Sequence, residues 1–167
     1  LLPNYRFRMD ELAPIKFGTD GWRAVIARDY TFANVERVAQ AYADFLLSNP
    51  TKAPLVILGY DRRFLSEEFA QRTSEVLVGN GVRVAVFQEA MPTPLISWAV
   101  KELKADGGVV ITASHNPADF NGFKIKAPWG GSASPEITSA VEKLLDANPP
   151  KRGDVSAETH QVLESAI

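Results

Sequence analysis

Apolar residues along this chain change period several times, and the changes mark helices alternating with strands. From 32 to 48, Val35, Val38, Ala39, Tyr42, Phe45 and Leu46 recur at the spacing of one helical face, with Thr31 as N-cap and Pro50 beyond the end. Residues 55–60 then form an unbroken apolar run, which predicts a strand buried on both faces. Ser66 is read as the cap of a second helix, because Glu67 and Glu68 follow it where carboxylates suit the positive end of the dipole. Gly79-Asn80-Gly81 predicts the end of that helix, since these residues tolerate the left-handed conformation a terminus needs.

The scheme repeats. A strand is predicted over 82–87, and Pro92-Thr93-Pro94 opens a helix to about Lys104 with Leu95, Ile96, Ala99, Val100 and Leu103 on one side. Gly107-Gly108-Val109-Val110-Ile111 reads as a second doubly buried strand, and 122–127 as a further one. Ser134 as N-cap and Pro135 at the first helical position start a last helix, with Ile137, Val141, Leu144 and Leu145 inward. The alternation predicts an α/β protein, read as a three-layer α/β/α sandwich around a mixed, mostly parallel sheet. Paired prolines within 148–153 cannot continue a helix, so 1–150 is read as one domain and 151–167 as a linker and the truncated start of a second.

Composition narrows the class. The 167 residues are long enough for a core of their own, and a formal net charge of -2 with mixed signs leaves no footprint for nucleic acid. No apolar run reaches the ~20 residues of a membrane span, and the absence of cysteine excludes disulfides and thiolate metal sites. A cytoplasmic protein is expected. Because the chain begins at Leu1 and stops within a helical pattern, it is expected to be a piece of a longer polypeptide.

The chemistry concentrates in Thr112-Ala-Ser-His-Asn-Pro-Ala-Asp-Phe-Asn-Gly-Phe-Lys124, which hangs a hydroxyl, an imidazole and an amine from the carboxyl end of a buried strand. Open α/β sheets place their chemistry there. A serine hydroxyl is a weak nucleophile unless a base or a favourable field supports it. A serine hydrolase built on Ser114 and His115 fares poorly, since adjacent side chains diverge on an extended loop and no Gly-x-Ser-x-Gly elbow is present. The Asn121-Gly122 pair is read as a turn that returns Lys124 toward Ser114.

This loop resembles the active-site serine loop of the α-D-phosphohexomutases, the superfamily of phosphoglucomutase and phosphomannomutase. Phe17-Gly18-Thr19-Asp20-Gly21-Trp22-Arg23 resembles the family's first signature, with Ala24 where the family usually has glycine, and Gly59-Tyr60-Asp61-Arg62-Arg63 resembles its Gly-x-Asp-x-Arg. The resemblance implies that Ser114 carries a transferable phosphoryl group and that Lys124 is the acid/base group near the sugar hydroxyl. Cations including Arg23 would favour the neutral amine, and phosphates the ammonium. His115 would bond the phosphoryl group, shuttle a proton or brace the loop. Thr19, Asn116, Asp61 and Arg63 would bind phosphate or orient the serine loop, an exposed ion pair being the plainer reading of Asp61 and Arg63.

Two phosphate dianions repel, so a magnesium ion is implied, bound by the phosphate of Ser114 and by aspartates of an Asp-Gly-Asp-Gly-Asp motif that this sequence lacks. The implied substrate is a hexose phosphate, interconverted between its 1- and 6-phosphates through a hexose 1,6-bisphosphate, and the implied partners are the remaining domains of the same polypeptide. The chain alone is expected to be inactive. Thr112, Phe120 and Phe123 lean toward the phosphoglucomutase/phosphomannomutase branch rather than the phosphoglucosamine mutases, which tend to read Ser-Ala-Ser-His-Asn and Asp-Asn-Gly-Ile-Lys. A phosphate-binding module without activity is the nonenzymatic alternative.

Overall fold

A computed structural model describes residues 14–48, 53–155 and 160–163. Among these the order is β1 (Gly21–Val25), α1 (Phe32–Leu47), β2 (Leu55–Tyr60), α2 (Ser66–Gly79), β3 (Arg83–Phe87), α3 (Thr93–Glu102), β4 (Gly107–Ile111), β5 (Phe120–Lys126), α4 (Pro135–Lys143) and β6 (His160–Leu163). The strands form one sheet in the order β1-β5-β4-β2-β3-β6. β4, β2, β3 and β6 run parallel, whereas β5 is antiparallel to both β4 and β1. This is the mixed, mostly parallel sheet the sequence predicts.

Helices cover both faces. Val56, Leu58, Val109, Ile111, Phe123 and Ile125 pack with Val38 and Tyr42 of α1, Phe69 and Leu77 of α2 and Val141 of α4. Ile57, Ala85, Phe87 and Val110 face the other way, onto Ile96, Ala99 and Val100 of α3. That is why residues 55–60 and 107–111 show no polar alternation: water reaches neither side. Each such aliphatic side chain contributes about 1.5–3 kcal/mol by burial. At the β1 end, Trp22 stacks on Tyr30 with ring centroids 4.6 Å apart, and Tyr30 meets Phe69 edge-on.

Thr31 caps α1 as predicted, its side chain accepting the Asn34 N–H. Ser66 does not cap α2. Leu65 holds that position in the left-handed region at φ 59°, while Ser66 is the first helical residue and gives its hydroxyl proton to Asp61. A charged carboxylate competes better for that hydroxyl than helical N–H groups do. Leu103 ends α3 and is 45% exposed, so it lies off the packed face. Pro50 lies outside the described residues.

In the stretch read as a boundary, the Lys151 N–H donates to Gln40 Oε1 and the Gly153 N–H to the Glu75 carbonyl, laying this segment across α1 and α2. Beyond it, β6 pairs in parallel with β3 and so joins the same sheet.

Candidate active site

β4 delivers the chain to its carboxyl end with Thr112 and Ala113 still buried and Ser114 exposed. Ser114 sits at φ 54°, a left-handed conformation that costs a residue with a Cβ about 1–3 kcal/mol unless its surroundings impose it. Here they do. The Ser114 N–H donates to Thr112 Oγ1 at 3.1 Å, and that hydroxyl donates to Asp61 Oδ2 at 2.6 Å. Arg63 donates to the carbonyls of Ser114, Asn116 and Pro117 at 2.7 Å each and of Phe120 at 3.0 Å. Asp61 steadies Arg63 in turn, accepting its N–H at 2.9 Å and lying 3.3 Å from Nε. Asp61 and Arg63 are therefore wired to the serine loop rather than being an isolated surface pair.

A second arrangement faces the Ser114 hydroxyl itself. Lys124 Nζ lies 2.7 Å from Ser114 Oγ and 2.8 Å from Asp20 Oδ2. Arg23 reaches Asp20 Oδ1 at 3.2 Å and Asn116 Oδ1 at 2.9 Å, tying β1 to the serine loop. Burial raises the pKa of the Asp20 carboxyl, but the hydrogen bond and charge of Lys124, with Arg23 behind them, outweigh it and hold the group below its ordinary value. Strand geometry makes the meeting possible, because Gly21 opposes Lys124 and Gly122 opposes Arg23 in the β1–β5 register. A Cβ at Gly122 would lie 2.6 Å from the Thr112 carbonyl oxygen and 3.0 Å from Arg23 Cγ, so only glycine lets β5 lie this close.

Asn121 and Gly122 are consequently strand residues and not the predicted turn; the reversal is made over 114–119. The buried Asn121 amide donates to Ser66 Oγ at 2.9 Å, and this bond together with β-pairing holds the segment extended. Thr19 is exposed and lines a hollow of about 400 Å³ with Lys16, Gly18, Asp20, Gly21 and Arg23, without a hydrogen bond among the described residues. His115 is exposed on the turn and likewise unbonded among the described residues, leaving the bracing to Arg63. Ser114 Oγ meets the amine of Lys124, not the imidazole of its neighbour.

Residues 14–152 match the family model described as phosphoglucomutase/phosphomannomutase, alpha/beta/alpha domain I. The chain belongs to this family. It is 36% identical over 135 residues to a phosphoglucomutase of Staphylococcus epidermidis, a match covering 79% of this chain and 24% of the relative. It is 40% identical over 142 residues to a "probable phosphoribomutase" of Schizosaccharomyces pombe, covering 78% and 24%. Among solved structures, a "putative phosphomannomutase" from Thermus thermophilus superimposes with a TM-score of 0.81 at 42% identity, over 92% of this chain and 34% of that one. The chain thus spans about a quarter of the length of these curated relatives.

For a phosphoglucomutase/phosphomannomutase domain, four participants in the site have no site role in the sequence reading: Asp20, Thr112, Ser66 and Asn121. Asp20 left a signal, an acid three positions before Arg23 in a glycine-flanked loop. The other three are neutral residues whose roles depend on contacts between distant segments. As for a metal, no three histidine, cysteine or acidic side chains gather as a cage among the described residues. Asp20, linked to Ser114 through Lys124, is engaged by Lys124 and Arg23. A metal ion at Ser114 would need donors beyond these side chains.

Proposed function

We propose that this chain is the phosphoserine-bearing domain of a cytoplasmic mutase that interconverts hexose 1-phosphate and hexose 6-phosphate through a hexose 1,6-bisphosphate. The observation that carries the proposal is the 2.7 Å approach of Lys124 Nζ to an exposed Ser114 Oγ on a braced loop. In the forward step the Oγ–P bond breaks as a bond forms from phosphorus to the sugar hydroxyl oxygen. Lys124 passes a proton to the departing Oγ and regains one from the sugar hydroxyl, so no further reactant is needed. Arg23, on its fixed fork beside Asn116, offers planar donors to the phosphoryl oxygens, and Thr19 and His115 stand exposed to the same approach.

Magnesium, bound by the phosphate of Ser114 and by donors elsewhere in the polypeptide, would offset the repulsion between dianions. The sugar reader and the clamp for the nonreacting phosphate belong to other domains in this reading, and the chain by itself is inactive. The relatives' names cover glucose, mannose and ribose, and a phosphoglucosamine mutase of Clostridium acetobutylicum is 31% identical, so the sugar is the open variable.

The test uses the complete polypeptide containing this chain, with glucose, mannose, ribose and glucosamine 1-phosphates as substrates. Turnover of a hexose 1-phosphate, with a phosphoryl group on Ser114 by intact mass and neither in Ser114→Ala, is expected. Phosphoryl uptake and full turnover in Ser114→Ala would overturn the proposal. Preference for ribose 1-phosphate would correct the sugar and leave the phosphoserine chemistry standing.

A further inference from the structure

Side chains alternate across a strand, so Lys124 and Lys126 share one face of β5. Their β4 partners are Val110 and Gly108, both on the side covered by α3. A Cβ at Gly108 would lie 2.6 Å from Val100 Cγ2 and 3.2 Å from Lys126 Cβ, so Lys126 leaves the sheet on the side of that helix. Arg23, opposite Gly122, is on the same face of the sheet. Three cations therefore share one face of the β1–β5 pair, and two of them, Arg23 and Lys124, reach the serine loop.

Two of them are paired. Arg23 and Lys124 share the Asp20 carboxylate. Lys126 is only 7% exposed, yet its amine makes no hydrogen bond or ion pair among the described residues. Burial, reinforced by Lys124 and partly opposed by Asp20, pushes this amine below its ordinary value. The stem is enclosed while the charged tip, which is not among the enclosed unpaired polar atoms, keeps some contact with water. The fold therefore carries part of the desolvation cost of a cation that has no direct partner, a cost that an apolar residue of similar length would not carry. The charges nearby explain why a cation would be kept. Three positive groups face one carboxylate, an excess close to the −1.5 to −2 charge that a phosphoserine carries at about pH 7.

We propose that Lys126 is a positioning residue for the phosphorylated state of Ser114, a reserve cation that closes the charge balance of Arg23, Lys124 and Asp20 once the serine bears a phosphoryl group. The inference rests on the reading of Ser114 as the phosphoryl carrier. It assigns a role to a lysine two residues beyond the acid/base position, and it makes the site complementary to the charged intermediate rather than to the resting serine.

The test is made on the full chain with phosphoserine installed at position 114 during translation, in the presence of a chelator so that no divalent cation substitutes for the amine. In the wild type, phosphorylation raises Tm. In Lys126→Met the unphosphorylated chain is as stable as the wild type or more so, while at least half of the rise on phosphorylation is lost; Lys126→Arg restores it. An undiminished rise in Lys126→Met overturns the proposal. Should that variant fail to fold, competitive acetylation of the wild type decides: reactivity of the Lys126 amine falls severalfold on phosphorylation, and an unchanged reactivity overturns the assignment. Transfer is read separately, by adding hexose 1-phosphate to the phosphorylated complete polypeptide. Loss of the charge effects with transfer intact sinks only the role of Lys126; charge effects without transfer sink the mutase reading and leave the charge assignment standing.

Discussion

Ser114 is held from two sides that work differently. On one side Asp61, Arg63, Ser66 and Asn121 grip the backbone: Arg63 places its donors on four main-chain carbonyls, and the carboxylate of Asp61 ties Thr112 and Ser66 to it. On the other side Lys124 reaches the side-chain oxygen and shares the Asp20 carboxylate with Arg23. The first fixes where the serine is, and the second fixes the charge it faces. Damage to the backbone grip should appear in stability and activity together, whereas damage to the charged side should appear in activity with a smaller structural cost.

The largest separation is expected from Lys124→Met. Removing a positioned acid/base group lowers kcat about 10²–10⁴-fold in the complete polypeptide. Ser114 stays in place because Arg63 and Thr112 still hold its backbone. Steady-state kinetics beside urea denaturation check this, and a loss of kcat below about tenfold would remove Lys124 from the chemistry.

Arg63→Met should do the reverse. Four carbonyls lose a charged donor at once, and the left-handed Ser114 loses its strongest restraint, so stability falls by about 2–4 kcal/mol and activity with it. Arg63→Lys should recover little, since an ammonium cannot span carbonyls that a planar guanidinium reaches together. Full recovery in Arg63→Lys would show that charge, not the fork, matters on this side.

Next comes Asp61→Asn, which keeps the shape of the hub but removes the charge opposite Arg63. The amide oxygen can still accept the two bonds now made to Oδ1, from the Arg63 N–H and the Ser66 hydroxyl, and the loss should be about 1–2 kcal/mol, smaller than that of Arg63→Met. Equality of the two losses, measured as urea midpoints, would mean that Asp61 is the principal anchor and Arg63 its dependent.

The two sides also differ in how far they could be read from sequence. Elements were legible because burial on both sheet faces leaves unbroken apolar runs, and helices keep one apolar stripe, as in α1. Ser114, Lys124 and Arg23 stood out as reactive types in family-like motifs, and they meet within hydrogen-bond distance through Asp20 and Asn116. The backbone grip was legible only as the pair Asp61 and Arg63. Ser66 resembled a helix cap because local chemistry favours that use, and the competing carboxylate comes from a different turn. Asn121-Gly122 resembled a hairpin turn because the pair commonly forms one; pairing with β1 on one side and β4 on the other holds it extended. β6 follows a proline-rich break, and its place beside β3 depends on a neighbouring strand rather than on its own pattern.

Asp20→Asn gives the smallest effect and the finest probe of the charged side. The folded-state pKa of Asp20 lies below its unfolded value, so the unfolded chain binds the proton more readily. Stability from this group is then fully present above the ordinary carboxylate range of about pH 4 and is lost as pH falls through the lower folded value. The wild type should therefore exceed Asp20→Asn in urea midpoint at neutral pH, and the two should converge on acidification below that range. A gap that persists unchanged into strong acid would mean that Asp20 acts through shape alone. A gap that closes would identify its charge as what holds Lys124 and Arg23 on station.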